Sequence, residues 1–370
     1  MNVIFITNYL SAHQMPLCDE LYKKLQGNFK FFETGSIGEH RINLGWKQYE
    51  REYVFKYDED CKNEIDNADV VIYGIASDNM IIDRLKNNKL TFKYAERFFK
   101  GKLSIIQWIR GYIGTYLHYI RYKKYPFYVL CASAYTAKDA NKFFSFKNRC
   151  FKWGYFPEFS SYEDIECVVE KKEENSIAWA GRFLDWKHPE IPVLLAEKLK
   201  SRGYTFKIRI YGGGEMENQI KALVEEKKLK DCVYLMGTVR QEEMPQKLEK
   251  SQIFIFTSDS YEGWGAVLNE AMNAGCACIA SDAIGSAPFL INNGTNGFLY
   301  KNGNLDDLCK KTEELLLDKN KSSDFGKRAY NTIKTEWNHI IAADRILKLF
   351  EALLRNEETP FKNGICSKAD

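Results

Sequence analysis

The chain has 370 residues, 45% of them hydrophobic and 28% charged, and a net charge of +3. That length exceeds what one hydrophobic core usually serves, so two domains are expected. So mild a charge balance excludes a dedicated nucleic-acid binder, which concentrates a basic face. The ten cysteines form no C-x-x-C pair, and the histidines lie at none of the usual zinc spacings. This suits reduced thiols in a cytoplasmic protein. The amino-terminal "MNVIFITNYLSAHQMP" has no basic region ahead of its short apolar run, so no signal peptide is expected. No stretch approaches the roughly 20 apolar residues of a membrane span.

In chain order, "NVIFIT" predicts a buried first strand, "NYLSAHQ" a loop, and Pro16 to about Leu25 a helix with proline in its first turn. "ADVVIYG" predicts a second strand, apolar throughout as parallel strands are. "LSIIQWI" and "FYVLCAS" read as further strands or buried segments, and "AYTAKDANKFF" as a helix with a capping threonine. Between Phe159 and Ser176 the sequence turns polar, which marks a boundary. Beyond it strands and helices alternate: "SIAWAG", a helix closed by Gly203, "FKIRIYGGG", "EMENQIKALVEEKKL", "CVYLMG", "EEMPQKLEKS", "IFIFTS", a helix, "ACIASD". Such alternation predicts a doubly wound parallel sheet, and the first half reads as a less regular version. The expected fold is α/β, two Rossmann-like doubly wound domains facing across a cleft. The first covers 1–165 and the second 166–335. A helix over 336–356 packs back toward the first domain, and 357–370 is a loose tail.

Ligands of such sheets bind beyond the carboxyl ends of the strands. After "IFIFTS" comes "DSYEGWGAVLNEAM". Gly263 and Gly265 allow a sharp turn, and a helix starts near Gly265 or Ala266, its amides suited to a phosphate. Glu262 and Glu270 can accept hydrogen bonds from sugar hydroxyls; the alternative is two solvated helix-start acids. In "AGRFLDWKHPE", Gly181 ends a strand, and Arg182 and Lys187 can clamp a diphosphate or stand as surface cations. "YGGGEMENQ" resembles a dinucleotide loop, with Asp231 near the acidic position of that fingerprint, which leaves a nicotinamide enzyme as an alternative. Glu217 occupies the third glycine position, however, and the first strand carries no glycine pattern. Gly212 and Gly213 are read instead as letting a nucleotide approach the backbone.

Over Ile177–Tyr300 the chain resembles the retaining glycosyltransferases of family 4, which have the GT-B fold. The resemblance rests on "GRFLDWKHP", "YGGGE", "LMGTVRQEEM", "FTSDSYEGWGAVLNEAMNAGCACIASD" and "NGTNGFLY". "NYLSAHQMPLCDEL", "ERFFKG", "SAYTAKDA" and "WGYFP" match more loosely the members that build bacterial surface polysaccharides. The chain has "SAHQ" where many members have paired glycines.

The resemblance implies transfer of a hexosyl or N-acetylhexosaminyl group from a nucleotide sugar, a UDP-sugar, to a saccharide or lipid-linked saccharide acceptor. No cofactor and no metal are implied. Arg182 and Lys187 would stabilise the leaving diphosphate, with help from the amides of Gly265, Ala266 and Val267. Glu270 would bind the ribose and Glu262 the donor sugar, while Gly237, Thr238 and Val239 flank the base. Gly181, Gly212, Gly213 and Gly263 would complete the donor loops. A histidine of the first domain would stand beside the sugar. His118 is the better positional match and His13 the better topological one. Other readings are a GT-B sugar-nucleotide epimerase and a non-catalytic GT-B partner subunit.

Two further motifs remain. "YDEDCK" holds a D-x-D, Asp58 and Asp60, but no apolar strand precedes it, and it reads as solvated surface. From Arg97 to Lys138 there is no acidic residue, while Arg97, Lys100, Lys102, Arg110, Arg121, Lys123, Lys124 and Lys138 interleave with aromatics. Such a surface suits anionic headgroups at the inner face of a membrane, or a lipid-diphosphate acceptor; core aromatics with a basic rim are the plainer reading.

Overall fold

The computed structural model describes the chain except residues 39–41, 43–46, 102–103, 142–145, 147 and 370. It divides into two compact units, Met1–Glu158 with Trp337–Asp370, and Phe159–Glu336.

The first unit is built on a seven-stranded parallel sheet. Its strands are β1 (Val3–Thr7), β2 (Phe29–Glu33), β3 (Val54–Lys56), β4 (Val70–Tyr73), β5 (Leu90–Ala95), β6 (Phe127–Cys131) and β7 (Cys150–Lys152). Their spatial order is β3-β2-β1-β4-β5-β6-β7. β1, β4 and most of β6 are buried, which is why they read as unbroken apolar runs. "ADVVIYG" is thus the fourth strand, not the second. β2 ("FKFFE") and β3 ("VFK") precede it, and their charged residues hid them. At the end of β2, buried Glu33 accepts the Leu10 amide at 2.9 Å and pairs with Lys56. The "NYLSAHQ" loop is thereby tied to the sheet before the helix Met15–Lys24, with Pro16 in its first turn.

Two expectations are corrected here. "LSIIQWI" is neither strand nor buried: it opens the helix Ile105–His118, started by a capping box between Ser104 and Gln107. The last residues are not a loose tail. Phe151 bridges Lys368 antiparallel. Lys152 donates its amide to Ser367 O at 2.9 Å and accepts that of Cys366 at 2.8 Å. Ile365, Cys366 and Ser367 are buried. The long helix His339–Leu354, capped by Asn338, packs on Met15–Lys24, with Lys24 and Asp344 2.8 Å apart. The "AYTAKDANKFF" helix covers Thr136–Asn141, and its expected continuation falls outside the described residues.

The second unit carries a six-stranded parallel sheet in the order β10-β9-β8-β11-β12-β13. These strands are β8 (Glu173–Ala180), β9 (Lys207–Tyr211), β10 (Val233–Gly237), β11 (Ser251–Phe256), β12 (Ala277–Ser281) and β13 (Gly297–Tyr300). Helices Ile191–Ser201, Glu217–Glu226, Met244–Glu249 and Val267–Asn273 connect them. The core joins Trp179, Ile208, Ile253 and Ile279 from the strands to Leu195 and Ile220 from the helices. β8 and β11 are neighbours although β9 and β10 separate them in sequence. The strand order therefore reverses between β8 and β11, the place where open α/β sheets gather ligands.

Candidate functional site

The site is built from the loops that leave the carboxyl ends of β8, β9, β10 and β11. The loop after β8 turns at Gly181, where a Cβ would meet the Trp179 ring at 3.1 Å and Lys187 Cδ at 3.3 Å. Thr257, at the end of β11, accepts Trp179 Nε1–H at 2.7 Å and donates its hydroxyl to Lys187 O at 2.8 Å. The Asp259 amide donates to Trp186 O at 3.0 Å. The two switch-point loops are thus fastened to each other, and they bring together side chains 75 residues apart. Lys187 Nζ lies 2.5 Å from Glu262 Oε2, with both side chains nearly buried. Ser258 Oγ donates to the same carboxylate oxygen at 3.1 Å, and the Trp186 ring centroid is 4.6 Å from the ammonium.

The sequence assigns Lys187 to a diphosphate and Glu262 to a sugar, and the structure sets the two side by side. Each is the other's partner here, so the pair is a pre-set dipole at the switch point. Arg182, on the same loop, is exposed and has no ion pair among the described residues.

Past Glu262 the chain buries Trp264, which donates Nε1–H to Asn269 at 2.9 Å. Gly265 has φ +83°, and a Cβ there would sit 2.5 Å from the Phe256 ring. The expected helix starts slightly later than Gly265 or Ala266: Ala266 is its N-cap and Val267 its first residue. The amides of Gly265, Ala266 and Val267 have no acceptor among the described residues. Glu270 is half-buried. Burial pushes its carboxyl up to about 7, opposed by a hydrogen bond with the Gln241 side chain from the loop after β10.

Gly212 and Gly213 also allow a close approach within the protein itself. A Cβ on Gly212 would lie 1.9 Å from Gly181 O, at a φ of +139°. Gly212 donates its amide to Gly237 O at 2.8 Å, and a Cβ on Gly213 would meet Thr238 Oγ1 at 3.0 Å. The close contact is loop against loop. Asp231 precedes β10 at its amino end and pairs with Lys200 at 2.7 Å. It cannot take the acidic role of a dinucleotide fingerprint, whose ligand lies at the opposite end of the sheet.

The two histidines belong to the first unit. His118 Nδ1 lies 2.7 Å from Asp78 Oδ2, and Asp78 follows β4. His13 stacks on Tyr155, with ring centroids 4.9 Å apart at 9°. Burial holds its imidazole down at about 4, so it is neutral near pH 7. Asp58 and Asp60 stand at the start of the helix Cys61–Asn67, where Asp58 accepts the Cys61 amide at 3.1 Å. Among the described residues no group of three or more side chains could hold a metal ion. Sequence reasoning missed Thr257, Ser258, Asp78 and Gln241. The first three follow an apolar run at a strand's carboxyl end, a signal available from sequence; Gln241 carries no such mark.

Two doubly wound parallel sheets, the second with its loops joined at the switch point, define the GT-B class of fold. Residues 162–332, nearly the whole second unit, match the family Glycosyl transferases group 1 and form a domain of that type. The poly(ribitol-phosphate) alpha-N-acetylglucosaminyltransferase of Staphylococcus aureus is 25% identical over 179 residues, 48% of this chain and 36% of that protein. The amylovoran biosynthesis glycosyltransferase AmsK of Erwinia amylovora is 30% identical over 178 residues, 47% of this chain and 44% of that protein. The chain thus spans less than half the length of these curated relatives. Among solved structures, Anabaena HepE in complex with UDP matches with a TM-score of 0.71 at 13% identity, over 95% of this chain and 100% of that one. The pneumococcal O-GlcNAc transferase GtfA in complex with UDP and GlcNAc matches with a TM-score of 0.68 at 12% identity, over 95% and 99%. At such identities the likeness establishes the fold. Among the described residues no helix is long and apolar enough to cross a membrane.

Proposed function

We propose that the chain is a retaining glycosyltransferase of family 4. It moves a hexosyl or N-acetylhexosaminyl group from a UDP-sugar to a saccharide or lipid-linked saccharide acceptor, in the synthesis of a cell-surface polysaccharide. One observation carries the reading: Lys187, Glu262 and the three acceptorless amides of Gly265–Val267 share the switch-point loops. These groups suit a sugar attached to a diphosphate. The names of the relatives, transferases of poly(ribitol-phosphate) and amylovoran, and the UDP bound by structures of the same fold point the same way.

In this mechanism the diphosphate accepts hydrogen bonds from the amides of Gly265, Ala266 and Val267. Arg182 and Lys187 balance the charge it gains as the glycosidic bond breaks. Glu262, already oriented by Lys187 and Ser258, accepts from hydroxyls of the sugar. Glu270 accepts from the ribose, and its protonated fraction falls as donors gather around it. Gly237, Thr238 and Val239 flank the base. The acceptor attacks from the face that the diphosphate leaves, so configuration is retained without a protein nucleophile. The two cations do the work that a metal does in other transferases.

The test is UDP release from a panel of UDP-sugars with and without saccharide acceptors. Release that requires the acceptor supports transfer. Interconversion of the donor alone would make the chain an epimerase, and absence of UDP binding by calorimetry would remove the donor site.

A further inference from the structure

We propose that the helix Ile105–His118 docks the protein on an anionic phospholipid surface. Its apolar and small residues are arranged inside out. Ile105, Ile106, Ile109 and Ile113 are 81%, 64%, 49% and 51% exposed, and Leu117, Trp108, Tyr112 and Tyr116 are exposed as well. At 100° per residue these eight positions cover a continuous stripe about half a turn wide. Away from the stripe lie Gln107, Arg110, Gly111, Gly114, Thr115 and His118, of which Thr115 alone is buried. A Cβ on Gly111 would lie 2.4 Å from the Phe99 ring. The helix therefore meets the body through Gly111, Thr115 and His118 and turns its large apolar residues outward, the reverse of an ordinary surface helix.

Charge selects the occupant. Between Arg97 and Lys138 no residue is acidic. Arg97 pairs with Asp139 and Lys100 with Glu96, and Lys102 lies outside the described residues. Arg110, Arg121, Lys123 and Lys124 remain exposed, with no ion pair to a carboxylate among the described residues. Isoleucines flanked by tryptophan and tyrosine, with cations at the edges, suit the boundary between headgroups and acyl chains. Fourteen residues span about 21 Å, short of a roughly 30 Å bilayer core, so the helix lies in the surface rather than crossing it. The inference rests on this helix and the cations that follow it, and holds whatever the second unit transfers.

The experiment is co-sedimentation of the full chain with vesicles of phosphatidylcholine alone, or with about 30% phosphatidylglycerol, at about 0.1 M salt. Wild type is expected to bind the anionic vesicles at least about tenfold more strongly than the neutral ones. Ile109→Asp with Ile113→Asp should abolish binding. Lys123→Gln with Lys124→Gln should lower it roughly 25-fold on anionic vesicles, since each cation near such a surface contributes about fivefold. All four side chains are exposed, so an unchanged melting temperature accompanies these losses. Wild type that ignores both vesicles, or an aspartate variant that binds as wild type does, overturns the proposal. A wild-type dimer that the aspartates convert to monomer, without vesicle binding, would assign the stripe to a second copy instead.

Discussion

Lys187→Ala is the most informative single perturbation of the second unit. It leaves Glu262 nearly buried, with Ser258 as its remaining side-chain partner. Removing one member of a fully buried pair costs about 3–5 kcal/mol. With the Ser258 hydroxyl retained and a little solvent access, about 2–3 kcal/mol is expected here. For a unit of this size that lowers the melting temperature by roughly 5–10 °C. Glu262→Ala removes the carboxylate and leaves the ammonium over the Trp186 ring. The double variant loses both charges together, so its cost should fall short of the sum of the two by about 1.5–3 kcal/mol. The assay is urea and thermal unfolding of the ligand-free chain, following the transition that UDP shifts upward. Single costs that add to within about 0.5 kcal/mol would show that the two side chains do not act as a pair.

Other expectations follow from the same loops. The folded chain holds a proton on Glu270 up to about 7, against an ordinary 4.5. It therefore binds more protons than the unfolded chain between those values, and stability falls as pH rises through that window. With the side chain half-exposed the loss is about 1–2 kcal/mol. Glu270→Gln should flatten that slope in ligand-free melting curves, and an unchanged slope would place the titration elsewhere. Arg182→Ala should cut turnover by about 10²-fold while the melting temperature stays put, because the side chain is exposed; a wild-type rate would take Arg182 out of the mechanism. Gly212→Ala forces a methyl against Gly181 O at a φ suited to glycine and should destabilise by more than about 3 kcal/mol, whereas a melting temperature equal to wild type would mean that the loop yields. Transfer should persist in excess EDTA, and a rate restored only by added divalent cation would shift the charge balance from Arg182 and Lys187 to a metal.

The second unit was readable because β11, β12 and the end of β8 are wholly buried and read as apolar runs, with helices alternating between the strands. Gly203, with φ +81°, closes one helix as the sequence suggests. In the first unit, β2 carries Lys30 and Glu33 within five residues, and β3 is only three residues long. Neither holds enough pattern to stand out from a loop. The helix Ile105–His118 misled for a definite reason. An unbroken apolar run predicts burial, and here Ile105, Ile106, Ile109 and Ile113 face solvent instead. The Lys187–Glu262 contact was out of reach altogether. It follows from which strands become neighbours, and strand order is a property of the folded sheet. The sequence nonetheless placed both residues at strand ends, and that was enough to put them in one site.

The first unit is closed by the last residues of the chain: the helix His339–Leu354 on Met15–Lys24, and Ile365–Ser367 against β7. Residues 1–158 are therefore completed only by segments that follow the whole second unit in sequence, and Phe92, which packs on Phe350 at 5.1 Å between ring centroids, has no cover until those segments are made. Cutting the chain back to residue 336 would strip this late-arriving seam from the first unit and leave Phe92 and β7 uncovered.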